Sequence, residues 1–319
     1  MENKHSTIAE IIEKNKIMVI DGSMSTALEH LGANLNSKLW TAKALEESPD
    51  LVRQVHLDYF RAGADCGITC SYQATIPGLM ANGSTREEAE KLIARSVEIF
   101  KEAREQWWEE EGEKAGRAWP LCLAGIGPYG AYLADGSEYR GHYGVDDSVL
   151  DEFHRRRMEI LHEALLAAGI AEELGADYWI SFSCMDDKHI CEGDPIRKCA
   201  EAFAKGHPHL QMIGVNCTKP AFITGLIKEL RAGLNTTEQG KKIPIGVYPN
   251  SGEEYDPVTK TWHGVGDSKN FGEYALDYMR AGADAAGGCC TTVASHVEQV
   301  IAAKEAFLAG GSARAMTAR

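Results

Sequence analysis

The chain has 319 residues, 44% of them hydrophobic and 25% charged, which suffices for one large domain or two small ones. A formal net charge of -14 argues against nucleic acid or an anionic membrane surface as partner, and it favours a cationic ligand. No apolar run reaches the roughly 18 residues of a membrane span. The opening MENKHSTIAEIIEKNK has no apolar signal core, and nine scattered cysteines suit a reducing compartment, so a cytoplasmic protein with free or metal-bound thiols is expected.

In chain order, apolar runs predict strands within 16–23, 65–72, 121–128, 177–184, 211–218, 243–250 and 284–290. Several are apolar almost without interruption, the pattern of strands buried on both faces of a parallel sheet. Helical periodicity lies between them, over 50–62, 85–107, 147–174, 220–233 and 268–281. An echo repeats three times: RAGADCGI at 61–68, ELGADYWI at 173–180 and RAGADAAG at 280–287. Each reads as a helix end, a glycine just past it and a strand start. Regular βα alternation of this length predicts a (β/α)₈ barrel over 1–319, with a doubly wound sheet as the other possibility. The tail 309–319 is expected to fray. In either architecture ligands bind at the C-terminal ends of the strands. Asp21-Gly22, Tyr72, Gly127-Pro128, Asn216-Cys217, Asn250 and Cys289-Cys290 stand there. The segment 129–147, rich in glycine and tyrosine, reads as a long functional loop.

The stretch Gly287-Gly288-Cys289-Cys290 is the most unusual. Adjacent side chains on a strand point to opposite faces, so two neighbouring thiols reach one ion only where the backbone turns. The glycines permit such a turn and a close backbone approach. Cys217 ends an earlier strand and could complete a three-thiolate metal site. A vicinal disulfide or plain packing would equally account for the pair. Cys66, Cys122 and Cys199 read as core, Cys70 and Cys184 as core or pocket lining, and Cys191 as incidental. His142, His263 and His296 lack metal-ligand spacing to the cysteines.

The motifs GGCCTT, GVNC and DGSMST, with HLDYFRAGAD, SYQATIPGL, GPYGAYLADGSEYRG and VYPNSGEEYD followed by TWHG, resemble the homocysteine S-methyltransferases. The resemblance is to the branch that uses S-methylmethionine or S-adenosylmethionine. It implies a zinc-containing TIM-type (β/α)₈ barrel that methylates L-homocysteine to methionine, with Cys217, Cys289 and Cys290 as Zn²⁺ ligands. It also implies Asp21, with the Gly22 backbone, in the homocysteine site. Tyr72, Asn216 and Asn250 are further substrate-binding candidates. The donor is a sulfonium cation, which aromatic faces can hold. Tyr129, Tyr132, Tyr139, Tyr143, Trp40 and Trp262 are candidates for that role, with Asp135 and Glu138 as nearby charge.

One departure stands out. The family has a strand ending in a Glu-Thr pair before the strand that matches WISFS. The interval 149–174 contains no such pair and reads as one helix. The expectation is therefore a barrel with its fourth βα unit missing and no counterpart of the glutamate that grips the homocysteine amino group. The alternative to an active enzyme is a catalytically impaired zinc- or thiol-binding relic. A cobalamin- or betaine-dependent enzyme fits less well, because no cobalamin domain follows.

Overall fold

The computed structural model describes residues 6–35, 37, 39–139, 141–165, 177–256, 261–264 and 270–317. Nine strands are described: β1 (Met18–Val19), β2 (Cys66–Ile68), β3 (Leu121–Leu123), β4 (Tyr178–Phe182), β5 (Leu210–Asn216), β6 (Ile245–Tyr248), β7 (Glu254–Asp256), β8 (Thr261–His263) and β9 (Ala285–Ala286). All seven expected strands are among them. The antiparallel hairpin β7–β8 was not expected.

The chain divides into two compact units. One comprises Ser6–Ser23, Ala62–Asp65 and Trp179–Arg319 and holds a sheet in the order β1-β9-β6-β5-β4. The pairs β1–β9, β9–β6 and β6–β5 are parallel. Met18, Val19, Ile20, Ile213, Val215, Ile245, Val247, Ala285 and Ala286 are all buried, so alternate residues on both faces are covered. That is the physical reason for the unbroken apolar runs. A Cβ on Gly214 would lie 1.9 Å from the Gly246 carbonyl oxygen, so this glycine lets the two inner strands approach.

The other unit includes 24–61 and 66–178 and carries the parallel pair β2–β3. Its core gathers Leu57, Phe60, Phe100, Ala103 and Trp107. Among the described residues the ladders form a five-stranded sheet, this pair and the hairpin, and no hydrogen-bonded ring of eight strands.

The expected helices are present as Pro49–Ala62, Arg86–Trp107, Asp147–Leu165, Pro220–Leu234 and Phe271–Ala281. The part of the fused-helix reading beyond Leu165 lies outside the described residues. Thr85 begins the second of these with a capping box, its Oγ1 accepting the Glu88 amide while the Glu88 carboxylate accepts the Thr85 amide. Two of the three echoed glycines are described and behave as expected; the glycine of the 173–180 echo lies outside the described residues. Gly63 (φ 108°) and Gly282 (φ 105°) both take the left-handed conformation that ends a helix. The segment 129–147 differs from the open loop expected. Pro128 precedes a short helix, Tyr129–Leu133, and a 3₁₀ turn follows at Ser137–Tyr139. The last helix, Ala294–Thr317, carries into the tail. No described helix is long and apolar enough to cross a membrane.

Candidate metal centre

Strands β5, β6 and β9 bring three cysteines together. Cys217 follows the last residue of β5 and donates its amide to the Tyr248 carbonyl at 3.2 Å. Cys289 donates its amide to the Pro249 carbonyl at 2.7 Å, just past β6. The side-chain sulfurs of Cys217 and Cys290 lie 3.7 Å apart, and those of Cys289 and Cys290 lie 3.9 Å apart. All three sulfurs fall within 4.8 Å of one another. Four sulfurs placed tetrahedrally at about 2.3 Å from zinc would be about 3.8 Å apart. The two measured edges therefore suit one tetrahedral ion. No other such cluster of histidine, cysteine and acidic side chains occurs among the described residues.

The backbone reason is sharper than a flexible turn. Neither Gly287 nor Gly288 has a positive φ. A Cβ on Gly287 would sit 2.5 Å from the Ile20 carbonyl oxygen, and one on Gly288 would sit 2.3 Å from Thr292 Oγ1. The glycines serve close approach alone. The left-handed residues are Cys217 (φ 46°) and Thr291 (φ 62°), uncommon for side chains that are not glycine.

Hydroxyl groups hold these turns. Thr292 Oγ1 donates to the Cys289 carbonyl at 2.6 Å, and Thr291 Oγ1 to the Cys290 carbonyl at 2.6 Å. Ser251 and Thr291 hydroxyls meet at 2.6 Å, while the Ser251 amide donates to the Cys290 carbonyl. Thr218 Oγ1 donates to the Asn216 carbonyl and accepts the Cys184 amide. Sequence reasoning passed over these four residues. The one available signal was their type, since short hydroxyl side chains directly after a turn tend to bond to local backbone.

The thiols of Cys217 and Cys289 both resist ionisation. The Cys289 thiol is pushed well above its ordinary value by contacts with Cys217 and then Cys290, by burial, and by repulsion from both. A divalent cation reverses this balance, because it favours the thiolate directly.

Asp21 is 2% exposed, and its carbonyl accepts the Gly288 amide at 3.0 Å, which joins it to the cysteine turn. Gly22 follows it, half-buried. Asn216 ends β5, half-buried, directly before Cys217. Asn250 is buried and its Oδ1 accepts the Gly252 amide at 3.0 Å, which commits that oxygen to its own loop. His296 Nδ1 accepts the Val293 amide at the start of the last helix, so it serves the backbone there.

Tyr72 belongs to the other unit and is 36% exposed. In that unit Tyr129 packs against Tyr132 at 5.7 Å, Tyr143 at 5.9 Å and Phe153 at 4.9 Å between ring centroids. Trp40 is half-buried with φ 47°. The Tyr139 side chain lies outside the described residues. Cys66 and Cys70 are buried, as a core role requires. Burial pushes the Cys122 thiol up to about 12.

The sequence model of the homocysteine S-methyltransferase family matches residues 18–304. The chain belongs to that family. It is 44% identical over 312 residues to the homocysteine S-methyltransferase YbgG of Bacillus subtilis, covering 92% of this chain and 96% of that one. It is 40% identical over 314 residues to the homocysteine S-methyltransferase of Escherichia coli, covering 92% and 97%. Among solved structures, the metallated form of the homocysteine methyltransferase MmuM from Escherichia coli superposes with a TM-score of 0.77 at 36% identity, over 92% of this chain and 98% of that one. All three cysteines lie inside the matched residues.

Proposed function

We propose that this homocysteine S-methyltransferase takes its methyl group from S-methylmethionine or S-adenosylmethionine and uses zinc held by Cys217, Cys289 and Cys290. Methyl transfer to homocysteine is the activity of the family; the metal and the donor are the finer reading. The observation that carries it is the sulfur triangle, with edges of 3.7 and 3.9 Å that suit a tetrahedral thiolate site. Three soft anionic ligands favour zinc over hard cations and leave one position for a substrate sulfur.

When bound, zinc supplies the positive charge that lets the homocysteine thiol ionise at neutral pH and fixes its sulfur. The residues of the chain do the remaining work. Asp21 offers a buried carboxylate to the amino-acid end, and the Gly22 backbone, Asn216 and Asn250 bind the same substrate. Tyr72 and the cluster of Tyr129, Tyr132 and Tyr143 offer ring faces to the donor cation. The acceptor sulfur forms its bond to the methyl carbon with a lone pair. The old carbon–sulfur bond breaks, and its pair returns to the donor sulfur. A neutral thioether leaves, and the proton of the thiol passes to solvent.

The same reading makes the chain one barrel that lacks its fourth βα unit. Seven strands in the expected places and the likeness to MmuM support it. The net charge of -14 supports a small cationic donor over nucleic acid as partner, in a cytoplasmic setting. Identity of 40–44% across nine-tenths of the chain weighs against the impaired relic. Metal analysis alongside a methyl-transfer assay tests the proposal. One zinc per chain with turnover is expected, and turnover by metal-free protein would overturn it.

A further inference from the structure

Arg157 is the largest fully buried side chain among the described residues, at 1% exposure. It lies on the helix Asp147–Leu165. Burying a guanidinium away from a carboxylate is costly, so such groups normally carry an acidic partner. Here no described carboxylate pairs with it. Its Nη2 donates to the Gly127 carbonyl at 2.7 Å and its Nη1 to the Tyr72 carbonyl at 3.3 Å. Nη2 also meets His154 Nδ1 at 3.0 Å. The guanidinium carbon lies 5.3 Å from the Phe153 ring centroid. Burial pulls it down to about 10, which leaves it charged at neutral pH.

The two carbonyls belong to the loops that leave β2 and β3. Those loops already touch, because the Gly127 amide donates to the Tyr72 carbonyl at 3.1 Å. A Cβ at Gly127 would lie 2.4 Å from that carbonyl oxygen and 2.9 Å from the Tyr72 ring. Beyond Gly127 comes Pro128 and then the helix that carries Tyr129 and Tyr132. Phe153, beneath the guanidinium, packs on both of those rings, at 4.9 and 5.3 Å. One fork thus joins Tyr72 and the tyrosine cluster through backbone on one side and through Phe153 on the other. A planar fork with fixed donors can hold two carbonyls in one geometry; a lysine ammonium cannot do so equally well.

We infer that Arg157 is a positioning residue for the methyl donor: by clamping the Tyr72 and Gly127 carbonyls it sets the aromatic faces that receive the sulfonium. This rests on the reading that Tyr72 and the tyrosine cluster contact the donor. Arg157 itself touches neither substrate nor metal.

The test is steady-state kinetics of Arg157→Lys with S-methylmethionine and homocysteine varied separately, and with bound zinc measured. Loss of one charge-assisted hydrogen bond predicts a donor KM raised about tenfold. The homocysteine KM and zinc content should stay at wild-type values. An unchanged donor KM, or an equal rise in both KM values, overturns the inference. Tyr72→Leu separates the two layers. If it raises the donor KM while Arg157→Lys does not, only the role of Arg157 falls; if neither does, the donor reading falls with it. Hydrogen exchange on the wild-type chain decides the matter if the lysine variant does not fold. Added S-methylmethionine should slow exchange in peptides covering 70–76 and 125–133, and unchanged exchange in both overturns the inference.

Discussion

Asp65 and Val19 clasp each other in both directions. The Val19 amide donates to Asp65 Oδ2 at 2.9 Å, and the Asp65 amide donates to the Val19 carbonyl at 2.8 Å. Asp284 and Ile245 repeat the arrangement, with the same 2.9 and 2.8 Å. Both aspartates close a Gly-Ala-Asp echo. In these two copies the motif has a mechanical purpose: after the helix ends at glycine, the aspartate ties the chain to a strand residue distant in sequence, Val19 of β1 or Ile245 of β6. Asp65 is the more buried and also accepts from Asn15 at 3.1 Å and approaches Lys304 at 3.7 Å.

Replacing Asp65 with alanine strands a buried amide and removes a charged acceptor. The expected loss is about 2–3 kcal/mol, read from the urea midpoint. Asp65→Asn keeps an acceptor and should lose less. A change in the alanine variant below about 0.5 kcal/mol would show that the clasp contributes nothing.

His56 predicts an acid limb in stability. Burial pushes its imidazole down to about 3 from an ordinary 6.5, and neither ring nitrogen has a hydrogen-bond partner among the described residues. Between those values the unfolded chain binds the extra proton. Stability therefore falls as pH drops below about 6.5, by up to about 1.4 kcal/mol per pH unit, and the contribution is constant above that range. His56→Leu, packed against Phe60 and Phe100, should flatten the limb in denaturation measured at several pH values. An equally steep limb in that variant would assign the effect elsewhere.

Much of this was legible because the physics is local. Strands covered on both faces must be apolar throughout, and that run of residues is visible without coordinates. Gly63 and Gly282 were readable as helix ends for the same reason. The Gly-Ala-Asp echo was visible too, but its partners, Val19 and Ile245, lie 46 and 39 residues away, beyond any local pattern. Gly287 and Gly288 were recognised as necessary for a partly mistaken reason. The sequence suggests a turn, whereas their neighbours Ile20 and Thr292 demand the missing side chains. The hairpin β7–β8 is three residues a side and left too short a pattern to read. The cysteine triangle needed two separate strand ends, those of β5 and β9, to converge, which the family pattern implied and spacing alone could not.

The glycine contact makes a separable prediction at the metal centre. Gly287→Ala forces a Cβ against the Ile20 backbone, which cannot give way as a flexible side chain would. Bound zinc should fall markedly with a stability loss of about 1–3 kcal/mol. Cys290→Ser should lose the zinc while keeping stability closer to wild type. Full zinc content in the serine variant would remove Cys290 from the ligand set.

Homocysteine affinity should be weak. The interval 149–174 has no Glu-Thr pair, and the proposal is that the chain therefore lacks the charge-assisted contact that the family resemblance implies for the amino group. Its loss predicts a homocysteine KM roughly 10- to 100-fold above that of the Escherichia coli relative assayed in parallel. Equal KM values would show that another acidic residue fills the role.

The most direct test of the account is methionine formation from L-homocysteine and S-methylmethionine by the purified chain, measured before chelation, after chelation and after zinc is returned. Turnover that is lost with the metal and restored by zinc is the predicted result. Turnover that persists in the metal-stripped protein, or none from the zinc-loaded protein with either sulfonium donor, would contradict it.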